Sequence, residues 1–403
     1  METPTASVLQ NRTFLTVWGG QSISVFGSQM GYIALFWWVY DSTGSAAALA
    51  SVAIATAITR FLAGPIAGTF IDRVDRRKLM LWANVVNGLV MSAAGIGVFS
   101  GYMQVWHVYI MGVISAGATL IHRSALLASI PTLVSKDQLT RANSLDQIGY
   151  GASSLLGPAV GGFLVSVLGS GPTMWLDAAT FFVAAGSLML VAFVSPEAGE
   201  EAESRSTARA AISGFRFLYR EKCLLLMVGL FAITNFMLAP TSVLIPVMAR
   251  DILLSGSQGL GFLTSALAAG SLAGGAFTWL LKRVKRHGIG IALGFVLLGV
   301  ALAVFGMSSS LLAAVIALAV VGFAVAVLNV FESVVLQLHV PDEMRGRAFA
   351  AVHALTQSLR PLSLAAIGGL LMVLSAPIVL AGCGLAVTAA GLTALCVRRM
   401  RAL

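Results

Sequence analysis

Twelve long apolar stretches follow one another along the chain, and they limit its fold more than any other feature. A helix needs roughly 20 apolar residues to cross the hydrocarbon core of a bilayer, and in lipid only helices and closed barrels satisfy their backbone groups. Barrel strands alternate over about ten residues, which is shorter than these runs. The sequence therefore predicts an all-α polytopic membrane protein with twelve transmembrane helices, at about 14–40, 46–70, 79–99, 105–129, 145–168, 172–194, 223–248, 259–281, 289–307, 311–337, 348–373 and 377–397.

The amino-acid composition excludes a soluble protein. Charged residues make up 10% of the 403 residues and hydrophobic residues 58%, whereas soluble domains carry roughly 25% charged residues. The cysteines Cys223, Cys383 and Cys396 lie in apolar runs without a spaced pair, so neither a disulfide framework nor a zinc site is indicated. With no nucleophile elbow or phosphate loop either, we predict that the chain is not an enzyme and binds no metal or cofactor.

The basic residues indicate how the helices are oriented. If the N-terminal side is cytoplasmic, 21 of the 25 Lys and Arg fall on that side, Arg250 alone on the other, and three inside the spans. Cytoplasmic loops of membrane proteins carry such an excess of Lys and Arg. We therefore predict that both termini are cytoplasmic, and that the net charge of +9 faces the anionic inner leaflet of the bilayer rather than nucleic acid.

Short segments repeat along the chain at nearly one offset. Residues 62–76 match 272–286 at an offset of 210, and Gly161-Gly162 recurs as Gly368-Gly369 at 207. A third match, between 136–142 and 342–348, has an offset of 206. Such repeats are typical of transporters built from duplicated halves. We predict a six-helix half at 1–194, a cytoplasmic linker at 195–222 and a second six-helix half at 223–403.

The second part of the predicted linker has an amphipathic character. Apolar and aromatic side chains recur there at helical spacing, among basic ones: Ile212, Phe215, Leu218 and Tyr219. A basic amphipathic helix of this kind lies in the plane of the membrane surface. We expect this segment to lie on the inner leaflet.

Several motifs resemble one transporter family. The loop Gly68-Thr69-Phe70-Ile71-Asp72-Arg73-Val74-Asp75-Arg76-Arg77-Lys78 resembles the loop between spans two and three of the major facilitator superfamily, and the resemblance covers essentially the whole chain. The segments 19–28, 139–143 and 340–347 look like the macrolide-efflux and siderophore-export branch. This resemblance implies proton antiport by alternating access through a cavity between the halves. It also implies a monomer in the inner membrane of a bacterium.

Two of these motifs have a structural alternative. In the resembling family the loop acts as a conformational latch, which here would involve Gly68, Asp72, Arg73, Arg76 and Arg77; the alternative is a basic topology anchor. Span five resembles the end of the antiporter signature at Gly157, Pro158, Gly161 and Gly162; the alternative is tight helix packing. Span four lacks the Arg-x-x-Gln-Gly pattern of other drug antiporters and has His122-Arg123 in its place.

Charged residues inside the spans are candidates for proton coupling, because a charge at a helix centre costs roughly 2.5–3.5 kcal/mol on insertion scales. Arg123 and Asp146 stand near facing ends of spans four and five, so we expect them to meet. The repeat offset places Glu332 beside the equivalent position in the second half, where His353 and Arg360 are within reach. A carboxylate that moves between an arginine and apolar surroundings would bind and release protons. The alternative is static ion pairs that fasten helices.

Two further charges fall outside this scheme. We expect Asp177, near the outer end of span six, to face external water. For Arg60, in the middle of span two, packing against an acid and lining the cavity are equally open.

Polar and aromatic residues on several spans are candidates to line a substrate cavity: Gln21, Gln29, Tyr32, Trp37, Tyr150, Asn235, Phe236, Asn329 and Gln357. Few charges and many apolar side chains favour an amphiphilic small-molecule substrate. The predicted function is proton-coupled export of hydrophobic or amphiphilic drugs. The alternatives are a dedicated siderophore or secondary-metabolite exporter and, more remotely, a membrane sensor that does not transport.

Overall fold

The computed structural model of the protein describes residues 8–71, 74–191, 215–219, 221–280, 287–341, 344–371 and 373–397. Within these ranges the regular structure is helical, without a strand. The helices are α1 (Arg12–Thr43), α2 (Ala46–Ile71), α3 (Arg76–Phe99), α4 (Val105–Leu133), α5 (Leu139–Leu168), α6 (Ser170–Met189), α7 (Lys222–Ile252), α8 (Gly256–Leu280), α9 (His287–Met307), α10 (Leu311–His339), α11 (Arg345–Ser358), α12 (Arg360–Leu370) and α13 (Ala376–Cys396).

Eight helices of the described chain are long and apolar enough to cross a membrane: α3, α4, α5, α7, α8, α9, α10 and α13. The other predicted spans correspond to α1, α2, α6 and the pair α11 and α12. The eleventh predicted span, at about 348–373, is interrupted at one residue, because α11 ends at Ser358 and α12 begins at Arg360. Pro361 stands in the first turn of α12, and a proline disfavours helical backbone in the residue before it and removes one N–H donor.

Two compact units make up the chain, one holding residues 1–44 and 55–202 and the other holding 45–54 and 203–403. In the first unit α1 packs against α5 and α6, and α3 packs against α4 and α6. In the second unit α7 packs against α11 and α13, and α9 packs against α10 and α13. Each of these four helix pairs of the first unit thus recurs in the second unit, six spans further along the chain, as the sequence repeats predict. The predicted boundaries at 194 and 222 stay predictions.

Little of the predicted linker lies within the described residues. Residues 215–219 are helical, while Ile212 lies outside the described chain. Leu218 is buried in the protein, whereas Tyr219 is 76% exposed. The position of this segment on the inner leaflet therefore stays a prediction.

Side-chain caps fix the helix ends at one side of the first unit. Asn11 caps α1 by accepting a hydrogen bond from the Phe14 N–H (3.0 Å), and its amide donates to the Leu133 carbonyl at the end of α4 (2.8 Å). Asp75 caps α3 through the backbone N–H groups of Arg77 and Lys78. Such caps satisfy backbone donors that have no partner inside the helix. The start of α1 and the end of α4 consequently lie on the same side of this unit.

Glycines allow the closest helix contacts. A methyl group at Gly31 of α1 would collide with the Asp177 carboxylate of α6, and one at Gly161 of α5 would meet the Met30 backbone of α1. In the second unit a methyl group at Gly384 of α13 would meet the backbone of α9. Small residues at helix interfaces let backbones approach in this way.

Candidate functional site

An ion pair joins α4 and α5 in the first unit. The Arg123 guanidinium donates two hydrogen bonds to the Asp146 carboxylate, Nη1 to Oδ1 at 3.1 Å and Nη2 to Oδ2 at 2.7 Å. The two side chains are 32% and 12% exposed. The Arg123 guanidinium also lies 5.7 Å from the centre of the Tyr150 ring, within cation–π range. The structure thus brings together the two charges whose sequence spacing predicts their contact.

This ion pair forms part of the wall of an open cavity. The cavity has a volume of about 440 Å³, counting the part open to solvent. Helices α1, α4 and α5 supply its lining: Phe14, Val17, Trp18, Gln21, Ser22, Val25, Arg123, Leu126, Ile130, Leu133, Asp146 and Tyr150. An apolar wall with a few convergent polar groups is the usual construction of a small-molecule site.

Gln21 of α1 connects four helices beside the ion pair. Its side-chain oxygen accepts a hydrogen bond from the Asn84 amide of α3 (3.2 Å) and lies 2.7 Å from His122 Nε2 of α4. Its amide donates to the Ala184 carbonyl of α6 (3.4 Å). Because this oxygen can only accept, His122 carries its proton on Nε2. The side chains of Gln21 and Asn84 are both buried.

Sequence reasoning missed most of this glutamine-centred network. It names Gln21 as a cavity residue and His122 as the neighbour of Arg123 in span four, but it does not predict their contact, and it omits Asn84. The available signal is the presence of amide and imidazole side chains within long apolar runs of three helices, namely Gln21, Asn84 and His122. Since buried polar groups are almost always hydrogen-bonded, each such residue predicts a partner on another helix.

Within the described part of the chain, the structure does not show an ion pair at Glu332, the residue of the second unit that the repeat offset relates to the Arg123–Asp146 pair. Glu332 Oε1 is buried and has no hydrogen-bond partner among the described residues. The structure shows no ion pair between Glu332 and Arg360, whose side chain is exposed. The side chain of His353 lies outside the described part. The proposed contacts of Glu332 with His353 and Arg360 stay predictions.

The remaining predicted cavity residues are distributed over both units. Gln21 and Tyr150 line the cavity of the first unit, whereas Gln29 donates to the Ser154 hydroxyl of α5 (3.1 Å) and is not among the lining residues. In the second unit the Asn235 amide donates to a carbonyl of its own helix, and the Phe236 carbonyl accepts from the Ser363 hydroxyl of α12. Tyr32 and Asn329 are exposed, Trp37 is partly buried, and the Gln357 side chain lies outside the described residues.

The predicted latch is only partly described. Asp72 and Arg73 lie outside the described residues, and Gly68 is within α2. Arg76 donates to the Ala128 carbonyl of α4 (2.7 Å), and Arg77 donates to the carbonyls of Leu188 (2.8 Å) and Met189 (3.1 Å) at the end of α6. Cations at the C-terminal end of a helix are stabilised by its dipole and free carbonyls. These two arginines fasten helices of their own unit.

The antiporter-like segment packs α5 tightly onto α1. Gly157, Pro158, Gly161 and Gly162 are all buried, and α5 remains one helix from Leu139 to Leu168 across the proline. A methyl group at Gly157 would meet the Gln29 side chain of α1. The tight-packing alternative therefore describes the local structure, while a specific role in antiport stays a prediction.

Asp177 contradicts its predicted exposure. Its side chain is fully buried in the first unit, at 0% exposure, instead of facing external water. The position of a residue along a span indicates its depth but not which side of the helix it occupies. Asp177 occupies the side of α6 that faces α1.

Arg60 of α2, by contrast, is exposed. The described residues contain no group of three or more His, Cys, Asp or Glu side chains that could hold a metal ion.

Comparison with known proteins places the chain among exporters. The family model described as transmembrane secretion effector matches residues 3–402. Macrolide efflux protein A of Streptococcus pyogenes is 26% identical over 357 residues, which cover 87% of each chain. The multidrug efflux pump Tap of Mycolicibacterium fortuitum is 25% identical over 85% of each chain. The enterobactin exporter EntS of Escherichia coli O1:K1 is 27% identical over 70% of this chain and 67% of its own.

Solved structures with the same fold are also transporters. A bacterial homologue of the iron transporter ferroportin, in an inward-facing state, superposes with a TM-score of 0.73 at 15% identity and covers 96% of this chain and 99% of its own. The nucleoside transporter NupG superposes with a TM-score of 0.75 at 12% identity over 95% and 100%. At this identity the likeness concerns the fold alone.

Proposed function

The chain belongs to the transmembrane secretion effector family of the major facilitator superfamily, and on that premise we propose that it exports hydrophobic or amphiphilic small molecules by proton antiport. The predictions of an efflux transporter, of an all-α polytopic membrane fold and of a protein that is not an enzyme are confirmed. Beyond these, we propose the class of substrate, the coupling of export to proton movement and the alternating-access mechanism. The proposed transporter is a monomer in the bacterial inner membrane with both termini cytoplasmic.

The observation that carries the proposal is the Arg123–Asp146 pair in the wall of the cavity. Arg123 neutralises Asp146 as long as the two hydrogen bonds hold. When a conformational change separates them, a proton is the alternative partner that keeps the carboxylate neutral in apolar surroundings. The exchange of guanidinium for proton would couple proton movement to the state of the cavity. The exposure of both side chains towards the cavity supports direct competition with a substrate.

The lining of the cavity supports an amphiphilic substrate. Apolar side chains and the Trp18 ring supply contact surface, while Tyr150 and the ion pair supply a few polar contacts. A cationic amphiphile would approach Asp146, and an anionic one would approach Arg123. The Gln21 oxygen is already occupied by two donors, so it offers little to a substrate in this conformation.

Efflux of a lipophilic fluorescent dye from energised cells tests the proton coupling. We expect efflux by the wild-type protein to stop when a protonophore collapses the proton gradient. Asp146→Asn should lose at least tenfold in the initial efflux rate, because the amide cannot exchange a proton. Glu332→Gln tests the second carboxylate in the same assay.

Asp251→Asn is the matched control, because Asp251 is a carboxylate near the end of α7, outside the cavity lining. Its efflux should stay within twofold of wild type at equal protein abundance. Wild-type efflux that persists unchanged without the gradient would reject proton coupling. Full efflux by Asp146→Asn would remove this residue from the mechanism.

A dedicated siderophore exporter is the second candidate function. It is favoured by the similarity to an enterobactin exporter and by the partly exposed Arg123 guanidinium, which suits an anionic ligand. A deletion strain separates the two candidates. Greater drug susceptibility in rich medium supports the first, whereas a growth defect confined to iron limitation, with loss of siderophore from the medium, supports the second.

A further inference from the structure

Asp177 is a carboxylate in the interior of the first unit that the proposed mechanism does not use. It lies two turns into α6, and its side chain is completely buried. Neither Oδ1 nor Oδ2 has a hydrogen-bond partner among the described residues. The neighbouring Thr180 hydroxyl donates to the main-chain carbonyl of Asp177 (2.7 Å).

The space around this carboxylate is formed by missing side chains on α1. A methyl group at Gly31 would collide with the carboxylate, and one at Gly27 would collide with Thr180 and come within 2.9 Å of Asp177 Oδ1. Both glycines lie near the middle of α1. The carboxylate therefore fits a gap in the α1–α6 interface, at a depth where bulk water does not reach.

No charged group on the adjacent helices can neutralise Asp177. Between Thr13 and Tyr40, α1 carries no acidic, basic or histidine residue, and the same holds for α3 between Leu79 and Phe99 and for α5 between Gln147 and Leu168. Asp177 is itself the one charged residue of α6. An ionised carboxylate without a partner in such surroundings is strongly disfavoured. The neutral acid, with its proton on the carboxyl group, is compatible with this packing.

A metal ion is a poor alternative occupant. Calcium takes six to eight oxygen ligands and magnesium about six, whereas this gap presents one carboxylate and the backbone of a glycine-containing helix. The described residues offer no cluster of acidic side chains here. A proton needs only the one carboxyl oxygen.

We propose that Asp177 is a proton-binding site that closes the α1–α6 interface when it is protonated and loosens this interface when the proton leaves. The proposal does not depend on which compound is exported or on proton coupling at Asp146. It assigns to the first unit a second proton site, separate from the Arg123–Asp146 pair.

Infrared spectroscopy of the purified, full-length protein in lipid tests the site directly. At neutral pH we expect the carbonyl stretch of a protonated carboxylic acid, and this band should shift when aspartate is labelled with carbon-13 at its side-chain carboxyl. The label separates an aspartic acid from Glu332 without any substitution. Asp177→Asn should remove the labelled band.

Two controls make the assignment specific. Ser187→Ala changes another buried polar residue of α6, which faces Gly20 of α1, and should leave the band unchanged. Asp146→Asn should also leave it unchanged, since the Asp146 carboxylate is paired with the Arg123 guanidinium. Absence of the labelled band from the wild-type protein, or its persistence in Asp177→Asn, would overturn the proposal.

Hydrogen exchange tests the effect on the interface and covers the case in which Asp177→Asn folds poorly. In the wild-type protein, amide exchange in peptides of α1 and α6 should rise at least tenfold, after correction for intrinsic rates, over the alkaline range in which the band disappears. Asp177→Asn or Asp177→Ser should abolish this rise. Wild-type exchange that stays flat while the band titrates would contradict control of the interface by the proton.

Discussion

Arg123 and Asp146 show how an ion pair lowers the free-energy cost of placing two charged residues inside a membrane. Each charge alone is strongly unfavourable in lipid, but two parallel hydrogen bonds of 3.1 and 2.7 Å satisfy both. Their contact could be predicted because both lie near facing ends of consecutive helices. Gln21 is different, since its three partners come from α3, α4 and α6. No local pattern in the sequence identifies such a set.

Gln21→Leu should destabilise the protein more than an equivalent change elsewhere on α1. It would leave the Asn84 amide and the His122 ring N–H without their acceptor, and each buried orphan costs about 1–3 kcal/mol. We expect a clear fall in the melting temperature of the purified protein, followed by thermal unfolding in detergent.

Gln29→Leu is the matched control, because Gln29 donates to a hydroxyl group that can rotate towards another partner. Its melting temperature should fall less. Equal shifts for the two leucine variants would show that the four-helix contact of Gln21 contributes nothing specific to stability.

Repeated sequence does not imply repeated packing between elements. Gly161 of α5 lies so close to α1 that a methyl group in its place would come within 2.7 Å of Met30 Cα. A methyl group at its repeat counterpart, Gly368 of α12, would meet no atom within 4 Å. The break between α11 and α12 also has no equivalent in α5, which stays helical through Pro158. The duplicated halves therefore share helix pairs but differ in how closely those helices approach.

Gly161→Ala and Gly368→Ala should have opposite effects on stability. Alanine stabilises a helix by about 0.5–1 kcal/mol relative to glycine, and Gly368 offers room for the added methyl group. At Gly161 the methyl group would push α5 away from α1, at a cost of about 1–3 kcal/mol for overpacking. Denaturation in mixed detergent micelles measures both, and destabilisation by Gly368→Ala as large as that by Gly161→Ala would refute the packing argument.

The orientation of the whole molecule rests on the distribution of its basic residues. Arg76, Arg77 and the ends of α4 and α6 lie on one side of the first unit, and this is the side that the Lys and Arg excess assigns to the cytoplasm. The excess of Lys and Arg indicates which side faces the cytoplasm, whereas the hydrogen bonds show only which helix ends lie on the same side.

Labelling of single cysteines with a membrane-impermeant maleimide tests this orientation, with the three native cysteines replaced by alanine. Tyr102→Cys, between α3 and α4, should be labelled in intact cells. Ser135→Cys, between α4 and α5, should be labelled only after the cells are permeabilised. The reverse pattern would invert the predicted topology, and labelling of both in intact cells would contradict a membrane span between them.

The sequence by itself determined the helical class, the duplication of the halves and the meeting of Arg123 with Asp146. The length of an apolar run, the offset of a repeat and the spacing of residues along neighbouring helices are properties of the linear chain, so they can be read from the sequence. Tertiary structure alone decided that Asp177 is buried and that Gln21 joins four helices. The physical reason is rotational: a helix that is apolar on all sides has no amphipathic face to fix its orientation about its own axis. Close packing at glycines such as Gly27 and Gly31 selects that orientation, and it thereby selects which polar groups meet.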